Sequence, residues 1–236
     1  QANMDNQHRD RVAFLRIVSG RFERDMVVTN ARTGKKVRLS RPQKLFAAER
    51  EITEEAYPGD ILGLTNPGAF AIGDSVSSAA VVAYEGIPQF SPEEFAVVRP
   101  LTPTKRKQLL KGLDQLREEG AIQVMWEKGR SSPDPILAAV GTLQFDVVRF
   151  RLESEYNVET TLQPLAFTVA RWIEGTPEAL AKIELFGQAR EVEDADGRAA
   201  ILFENEWSAN RAAERHKDVV FSDVSSVAPA AATNAR

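Results

Sequence analysis

The chain has 236 residues, a length that fits one or two domains. Hydrophobic residues make up 43% of the sequence, so it can bury a core, and the sequence contains no run of about 18 apolar residues that would predict a membrane span. It contains no cysteine, which excludes disulfides and thiol catalysis and fits a reducing compartment. The first residues are polar and lack the apolar segment of a signal peptide. We therefore expect a cytoplasmic protein with no membrane partner.

The net charge of −4 hides a strong asymmetry along the chain. Residues 1–50 contain twelve Lys or Arg and five Asp or Glu, a net of +7, so the other 186 residues carry −11. A local basic surface can bind phosphates even on an acidic protein, although a solvated exterior would look the same in sequence. The cations that we consider as phosphate contacts here are Arg21, Arg24, Arg32, Lys35, Lys36 and Arg38.

Residues 1–92 have the pattern of a small β-barrel. Short apolar-rich strands are separated by turns that contain Gly or Pro, and no helical period is present. Thr33-Gly34 lies between two strand-like segments, Val27–Asn30 and Lys36–Ser40, and predicts a hairpin. Two Gly-Asp steps, Gly59-Asp60 and Gly73-Asp74, add to the regular spacing of turns.

Residues 93–225 change to a mixed pattern. The predicted elements follow the order β-α-β-β-α-β, which is typical of a ferredoxin-like split βαβ fold with two helices on one face of an antiparallel sheet. The segment beyond Glu174 predicts a further helix at Pro177–Phe186, a strand, a helix and a last strand, which would extend this domain. Residues 226–236 lack any period and are predicted to be a disordered tail.

Two amphipathic helices are predicted in the second domain. In the first, at Thr104–Glu119, the leucines at 109, 113 and 116 share one face, and Gly120 is placed to end the helix. In the second, at Thr142–Tyr156, the apolar residues at 143, 147 and 150 share one face, and Thr142 is predicted to be the N-cap. Three cations at the start of the first helix oppose its dipole and are further candidate contacts for an anionic partner: Lys105, Arg106 and Lys107.

Motifs for catalysis are missing from the sequence. It contains no G-x-x-x-x-G-K-[ST] phosphate-binding loop, and its two histidines, His8 and His216, lie in different predicted domains. The D-x-x-G match at Asp60–Gly63 follows Pro58-Gly59, and we interpret it as a turn. We therefore predict a chain that has no catalytic, cofactor-binding or metal-binding residues.

Several segments resemble the bacterial peptide-chain release factor three family of translational GTPases. In the first domain the resemblance rests on Met4-Asp5, His8–Arg16, Ser19–Arg24, Arg32–Lys35, Val37–Ser40, Glu54–Ile61 and Ile72–Asp74. In the second domain it rests on Gln108–Leu113, Glu118–Val124, Val140–Val148, Arg151-Leu152 and Glu155–Glu159. One departure is Asp25, which stands where the family usually has Gly, so we expect that turn to adopt a different geometry.

The resemblance implies the C-terminal two domains of a longer protein, a translation-factor domain II barrel followed by a ferredoxin-like α+β domain with a C-terminal extension. The full protein would be a ribosome-dependent GTPase that helps to remove stop-codon-reading release factors after peptide release. GTP or GDP with Mg²⁺ would bind in its N-terminal GTPase domain, outside this chain. The barrel would approach small-subunit rRNA, and the α+β domain, which would be the third domain of the full protein, would approach a ribosomal protein.

Three alternatives are open at the level of sequence. The chain could be a fragment of an elongation-factor-G-like or ribosome-protection GTPase. Gln144-Phe145 argues against that interpretation, because elongation factor G has a G-x-L-H-L-E type of run there. The chain could also be a stand-alone protein-binding module, which failure to sediment with ribosomes would indicate. An enzyme is the last alternative.

Overall fold

A computed structural model of the chain describes residues 11–40, 42–46, 49–66, 69–79, 82, 84, 90–129, 131–185 and 187–224. Two compact units are present, Gln1–Ile87 and Pro88–Ser226. The predicted tail at 226–236 lies outside the described residues. Within the described ranges no helix has the length and apolar character needed to cross a membrane.

The described residues of the first unit form nine short strands in three sheets. The strands are β1 (Arg11–Arg16), β2 (Phe22–Glu23), β3 (Val27–Asn30), β4 (Lys36–Arg38), β5 (Gln43–Phe46), β6 (Glu49–Ile52), β7 (Glu55–Ala56), β8 (Ile61–Asn66) and β9 (Val76–Ser77). The sheets have the orders β1-β8-β5-β6, β2-β7 and β4-β3-β9. One core cluster contains side chains from these sheets. In β3, for example, inward and outward side chains alternate, as expected for a strand with one buried face. The fully buried members of this cluster include Phe22, Ala56, Leu62 and Leu64.

The turn before β3 corrects the expectation for Asp25. Its φ is 63°, so the aspartate adopts the left-handed conformation that glycine favours, which the expectation took aspartate to avoid. Aspartate tolerates this region better than most residues. The turn is closed by two backbone hydrogen bonds, from Asp25 N to Leu39 O at 3.0 Å and from Met26 N to Glu23 O at 3.2 Å.

The first half of the second unit has the predicted ferredoxin-like fold. Its elements are β10 (Glu94–Pro100), α1 (Arg106–Glu118), β11 (Gln123–Glu127), β12 (Ile136–Ala139), α2 (Leu143–Tyr156) and β13 (Thr160–Pro164). These four strands lie in the order β13-β10-β12-β11, all antiparallel. A 3₁₀ turn at Pro103–Lys105 precedes α1, and Gly120, with φ of 72°, ends that helix as predicted. One core cluster contains Leu109, Leu113 and Leu116 of α1 together with the sheet.

The second half continues the same sheet, so that eight strands form one hydrogen-bonded sheet. Its elements are β14 (Val169–Glu174), α3 (Pro177–Leu180), β15 (Arg190–Asp194), β16 (Ala199–Phe203), α4 (Glu206–Arg215) and β17 (Val220–Ser222). Strand β15 pairs with β11 and extends the sheet in the order β15-β16-β14-β17. The helix predicted at Pro177–Phe186 covers only four residues. Strand β15 was not predicted, because its alternating carboxylates resemble surface acidity.

The two halves of the sheet share a core. Phe95, Met125 and Ile136 on the first half belong to the same buried cluster as Trp172 and Leu202 on the second half. The opposite face of the first half is covered by α1 and α2, and that of the second half packs against α4. The sheet therefore folds back on itself, and both of its faces are covered in each half.

Helix α2 departs from prediction in the face that it buries. The residues predicted to share an apolar face are exposed by 77% at Leu143, 53% at Val147 and 70% at Phe150. The core instead receives Phe145, Val148 and Leu152. The helix has two apolar stripes, and its period does not indicate which of them faces the sheet.

The N-cap position of α2 is the predicted one, but the capping interaction differs. Thr142 precedes the first helical residue as expected, yet it has helical dihedral angles, and its side chain makes no capping hydrogen bond. Instead, Oε1 of Gln144 accepts from the backbone N–H of Val140 at 2.8 Å. A side chain inside the first turn therefore binds the backbone that leads into the helix.

Candidate nucleic-acid interface

The β3–β4 hairpin carries the predicted basic segment and has a closely bonded turn. The backbone carbonyl of Asn30 accepts from Gly34 N at 2.8 Å, and Asn30 N donates to Lys35 O at 2.9 Å. The side-chain Oδ1 of Asn30 accepts from the N–H groups of Arg32 and Thr33. Gly34 adopts φ of 66°, which glycine allows without strain. The turn therefore holds its backbone in one conformation.

A buried carboxylate anchors this turn to the segment before β9. The Asp74 side chain is only 5% exposed and accepts from Asn30 Nδ2 at 2.7 Å, from Arg32 Nε at 2.5 Å and from Ala71 N at 2.9 Å. Burial raises the pKa of Asp74, but the hydrogen bonds from Arg32, Ala71 and Asn30 outweigh it and place the pKa below its ordinary value. The Gly-Asp step noted in the sequence is thus a structural anchor.

Three of the predicted phosphate contacts form ion pairs inside the first unit. Arg21 pairs with Glu55, which also accepts from the hydroxyl of Tyr57. Arg24 pairs with Glu54 at 2.8 Å, and Arg32 binds Asp74 through both Nε and Nη2. The hydrogen bond from Arg21 to Glu55 and the charge of that carboxylate raise the pKa of Arg21. Each of these guanidinium groups is already partly neutralised by a neighbouring carboxylate.

The other three cations of the segment point outward. Lys35 lies in the turn, and Lys36 and Arg38 lie on one face of β4, because side chains alternate across a strand. Val37 between them packs against the core. All three cations are exposed, and their side chains make no hydrogen bond or ion pair with the residues that the structure describes. They form a short row of available positive charge on a fixed hairpin.

The cations at the start of α1 have a structural role that the sequence did not indicate. Nζ of Lys105 donates to the backbone carbonyl of Asn157, at the C-terminal end of α2. A cation is favourable there, because the helix dipole is negative at that end. Arg106 donates to Asp134 at 2.8 Å and to the carbonyl of Pro133 at 2.8 Å. Lys107 is exposed and has no side-chain partner in the described part of the chain.

Asp134 is a junction that was not predicted from sequence. Its carboxylate accepts from Arg106 and also from Arg99 Nε at 2.6 Å, which ties α1 and β10 to the loop before β12. Burial raises the pKa of Asp134, but the two arginines lower it below the ordinary value. The partners are 35 and 28 residues away in sequence, so no local pattern could indicate the cluster.

The D-x-x-G match at Asp60–Gly63 is turn chemistry, as predicted. Oδ2 of Asp60 accepts from the backbone N–H of Tyr57 at 3.0 Å, and Asp60 N donates to Tyr57 O at 3.0 Å. Gly59 between them has φ of 100°. The carboxylate thus closes the turn that leads into β8.

Comparisons with known proteins agree on one family. Residues 84–213 match the family described as "Class II release factor RF3, C-terminal domain", and residues 1–79 match "Elongation factor G domain 2". The chain is 54% identical over 231 residues to peptide chain release factor 3 of Acaryochloris marina and 56% identical over 225 residues to that of Gloeobacter violaceus. These alignments cover 98% and 95% of the chain, but the chain spans only 42% of the length of either relative.

A solved structure supports the fold. The chain resembles a Thermus thermophilus protein of known crystal structure with a TM-score of 0.55 and 19% identity, over 78% of this chain and 28% of that one. The first unit is accordingly a translation-factor domain II barrel, and the second is an α+β domain. Both relatives are named peptide chain release factor 3 and align with nearly the whole chain, which favours that family over elongation factor G. The chain belongs to the class II release factor RF3 family, of which it carries the C-terminal region.

Proposed function

We propose that this chain is the ribosome-docking part of a translational GTPase that acts in termination of protein synthesis. The longer protein would hydrolyse GTP on the ribosome and help to remove stop-codon-reading release factors. Relatives named peptide chain release factor 3, at 54% to 56% identity, support the proposal. The chain covers less than half of those relatives, so GTP or GDP with Mg²⁺ and the GTPase domain are assigned to the remainder. No phosphate-binding loop occurs in this sequence to hold a nucleotide.

The main structural support for a docking role is the row of cations on the β3–β4 hairpin. Lys35, Lys36 and Arg38 are exposed on a hairpin whose turn is fixed by Asn30 and Asp74. Because the backbone of the hairpin is already held in place, only the side chains of these cations have to be ordered when they meet phosphates. Such contacts position a protein without reading base sequence. We assign these three side chains to the phosphates of small-subunit rRNA. Arg21, Arg24 and Arg32 would support this surface of the first unit. On the second unit, Lys105, Arg106 and Lys107 would form a separate candidate contact, in which Lys107 is the exposed cation.

Co-sedimentation with small ribosomal subunits tests the docking role. Reversing Lys36 and Arg38 to glutamate is expected to weaken the affinity roughly tenfold or more at moderate salt, because each lost phosphate contact also loses counterion release. A matched control reverses Lys182 and Lys217, which are exposed on the second unit and give the same change in net charge. Equal weakening by both variants would show a general effect of charge and would contradict the assignment. An unchanged affinity of the hairpin variant would contradict it as well.

A further inference from the structure

A small acidic pocket lies at the C-terminal end of α2 in the second unit. It is lined by Leu101, Arg149, Glu153, Glu159 and Thr160, and its volume is about 140 Å³. That volume is below the range of about 300–1,000 Å³ that is usual for drug-sized ligands. It equals the space of about five water molecules in the liquid, at about 30 Å³ each. The pocket therefore admits a ligand of about five or six non-hydrogen atoms.

Two carboxylates of this pocket have no partner in the described part of the chain. The side chains of Glu153 and Glu159 are exposed and make no hydrogen bond or ion pair with the described residues. The last turn of α2 contains no basic residue, although the helix dipole is negative at this end. Lys105 reaches the same helix end, but its Nζ donates to the backbone carbonyl of Asn157. Both carboxylates are therefore available to a ligand.

A buried hydroxyl of the pocket also lacks a partner. Thr160 is only 9% exposed, and its Oγ1 makes no hydrogen bond with the residues that the structure describes. Thr160 lies in β13 on the same face as Leu162, which packs into the core under α1 and α2, so its side chain is directed toward the helices. Buried hydroxyls are nearly always hydrogen-bonded, because an unpaired one loses its bonds to water. This hydroxyl therefore indicates a ligand that donates a hydrogen bond.

Arg149 is the cation that lines the pocket, and it does not neutralise the two carboxylates. Its Nη1 lies 4.0 Å from Oδ1 of Asp146, one turn back along α2, at the limit of an ion pair. No ion pair joins Arg149 to Glu153 or Glu159 among the described residues. With two carboxylates and one guanidinium group, the lining has a net negative charge and favours a cation.

We propose that this pocket binds a primary alkylammonium ligand, which is the chemistry of short aliphatic diamines. An ammonium group has three donors and no acceptor, and the pocket presents three groups that accept: the carboxylates of Glu153 and Glu159 and the hydroxyl of Thr160. The methylene groups of the ligand would contact Leu101, which is 57% exposed. The proposal goes beyond the proposed function and does not rest on it, because the ligand is a free small molecule and the isolated chain is sufficient to bind it.

Two other ligand classes fit the pocket less well. A metal ion usually needs more protein ligands, and the described residues include no group of three or more His, Cys, Asp or Glu side chains that could hold one. A phosphate or a carboxylate would meet two unpaired carboxylates and only one guanidinium group. Both classes are outcomes that the experiment separates from the amine.

Titration of the chain with putrescine, followed by the NMR shifts of the methyl groups of Leu101 and Thr160, tests the proposal. The buffer is phosphate, because an amine buffer would compete. We expect saturable shifts with a Kd of about 1 mM, an affinity in the range for a ligand of about six non-hydrogen atoms. The proposal is overturned by the absence of saturable shifts up to about 20 mM putrescine. It is also overturned if Mg²⁺ or succinate binds at these two residues more tightly than putrescine does.

Neutral variants test which groups hold the amine. Glu153→Gln with Glu159→Gln should weaken putrescine binding about tenfold or more, because both charge-assisted hydrogen bonds are lost. The control combines Glu178→Gln with Glu214→Gln, two exposed glutamates elsewhere on the second unit, and should bind like the parent chain. Equal weakening by both pairs would show a general effect of charge and would overturn the site.

Arg149→Gln tests the sign of the ligand. Removing this like charge should tighten putrescine binding about threefold, the effect of one charge a few ångströms away in a water-like dielectric. Weaker binding by this variant would show that the ligand is held through a negative group, and it would overturn the proposal.

Thr160→Val tests the buried hydroxyl by two independent measurements. Without ligand, the variant should raise the midpoint of thermal unfolding by about 2 °C, because an unpaired buried polar group is removed. With ligand, it should weaken putrescine binding about fivefold, because one of the three accepting groups is lost. A lowered midpoint would show that the hydroxyl already has a partner, and that result or unchanged binding would overturn its part in the site.

Discussion

Asp25 shows a backbone conformation maintained against residue preference. At φ of 63° an aspartate costs about 1–2 kcal/mol relative to the right-handed region, and a glycine would avoid this while losing about 0.5–1 kcal/mol of chain entropy. The ion pair of Asp25 with Arg24, at 3.6 Å and exposed, contributes little. We expect Asp25→Gly to raise the free energy of unfolding by about 0.5 kcal/mol, measured by urea titration. Glu23→Gly, in the adjacent strand, should lower it; a lowered value for Asp25→Gly would contradict the argument.

Asp74 gives the first unit a dependence on pH. Its pKa is depressed in the folded state, so its contribution to stability is complete above the unfolded-state value of about 3.9 and is lost as pH falls through the folded value. We expect Asp74→Asn to cost about 2 kcal/mol at pH 7, because charged hydrogen bonds to a buried group are lost. The difference between the two proteins should shrink below about pH 4. Asp146→Asn, at an exposed carboxylate, is the control and should cost less than about 0.5 kcal/mol at any pH.

At the scale of elements, the contact between α1 and α2 depends on Gly112. A Cβ built at this position would lie 2.7 Å from Cδ2 of Leu152 and 3.1 Å from Cγ of Tyr156. Alanine would favour the helix by about 1 kcal/mol, but overpacking a core usually costs about 1–3 kcal/mol. We expect Gly112→Ala to lower the free energy of unfolding by about 1 kcal/mol, measured by urea titration. Gly141→Ala, where no atom lies within 4 Å of the added carbon, is the control.

The elements differ in how far sequence could predict them. The ferredoxin-like order was predictable because each strand and helix of that half has its own strong period and its own turn signals. The buried face of α2 was not, since residues 143, 147 and 150 and residues 145, 148 and 152 both form helical stripes. Strand β15 was missed because its acidic residues resemble an exposed segment. Only its pairing with β11 and β16 in the folded sheet makes it a strand.

The candidate site was also predictable only in part. The charge count showed its basic segment, and the Thr33-Gly34 turn showed its hairpin. The sequence did not show which of the cations are paired with carboxylates and which are available. Arg21, Arg24 and Arg32 find carboxylates that are 34, 30 and 42 residues away, so only the folded sheets bring them together.

At the scale of the whole molecule, an acidic chain with a basic hairpin should show a distinct salt dependence. Replacing Lys35, Lys36 and Arg38 by glutamate is expected to make the slope of log affinity against log salt shallower by about 2 for small ribosomal subunits, since each phosphate contact contributes about 0.7–0.9. The measurement is the affinity at several salt concentrations between about 50 and 200 mM, where the affinity for nucleic acid falls steeply with salt. A steeper or unchanged slope would contradict the role of these cations. The Lys182 and Lys217 reversal should leave the slope within error of the parent chain.

The eight-stranded sheet folds back so that its two halves share a core, and this has a consequence for any truncated form of the chain. A protein ending after Pro164 would keep every part of the ferredoxin-like pattern, yet Phe95, Met125 and Ile136 would lose the cover of Trp172 and Leu202. An apolar face of the sheet that is buried in the intact protein would then be exposed to solvent. The edge of β11 that pairs with β15 would also be free and could pair with strands of other chains. We expect such a truncated protein to aggregate rather than fold as a smaller domain, so the strands after residue 164 are required for a stable second unit.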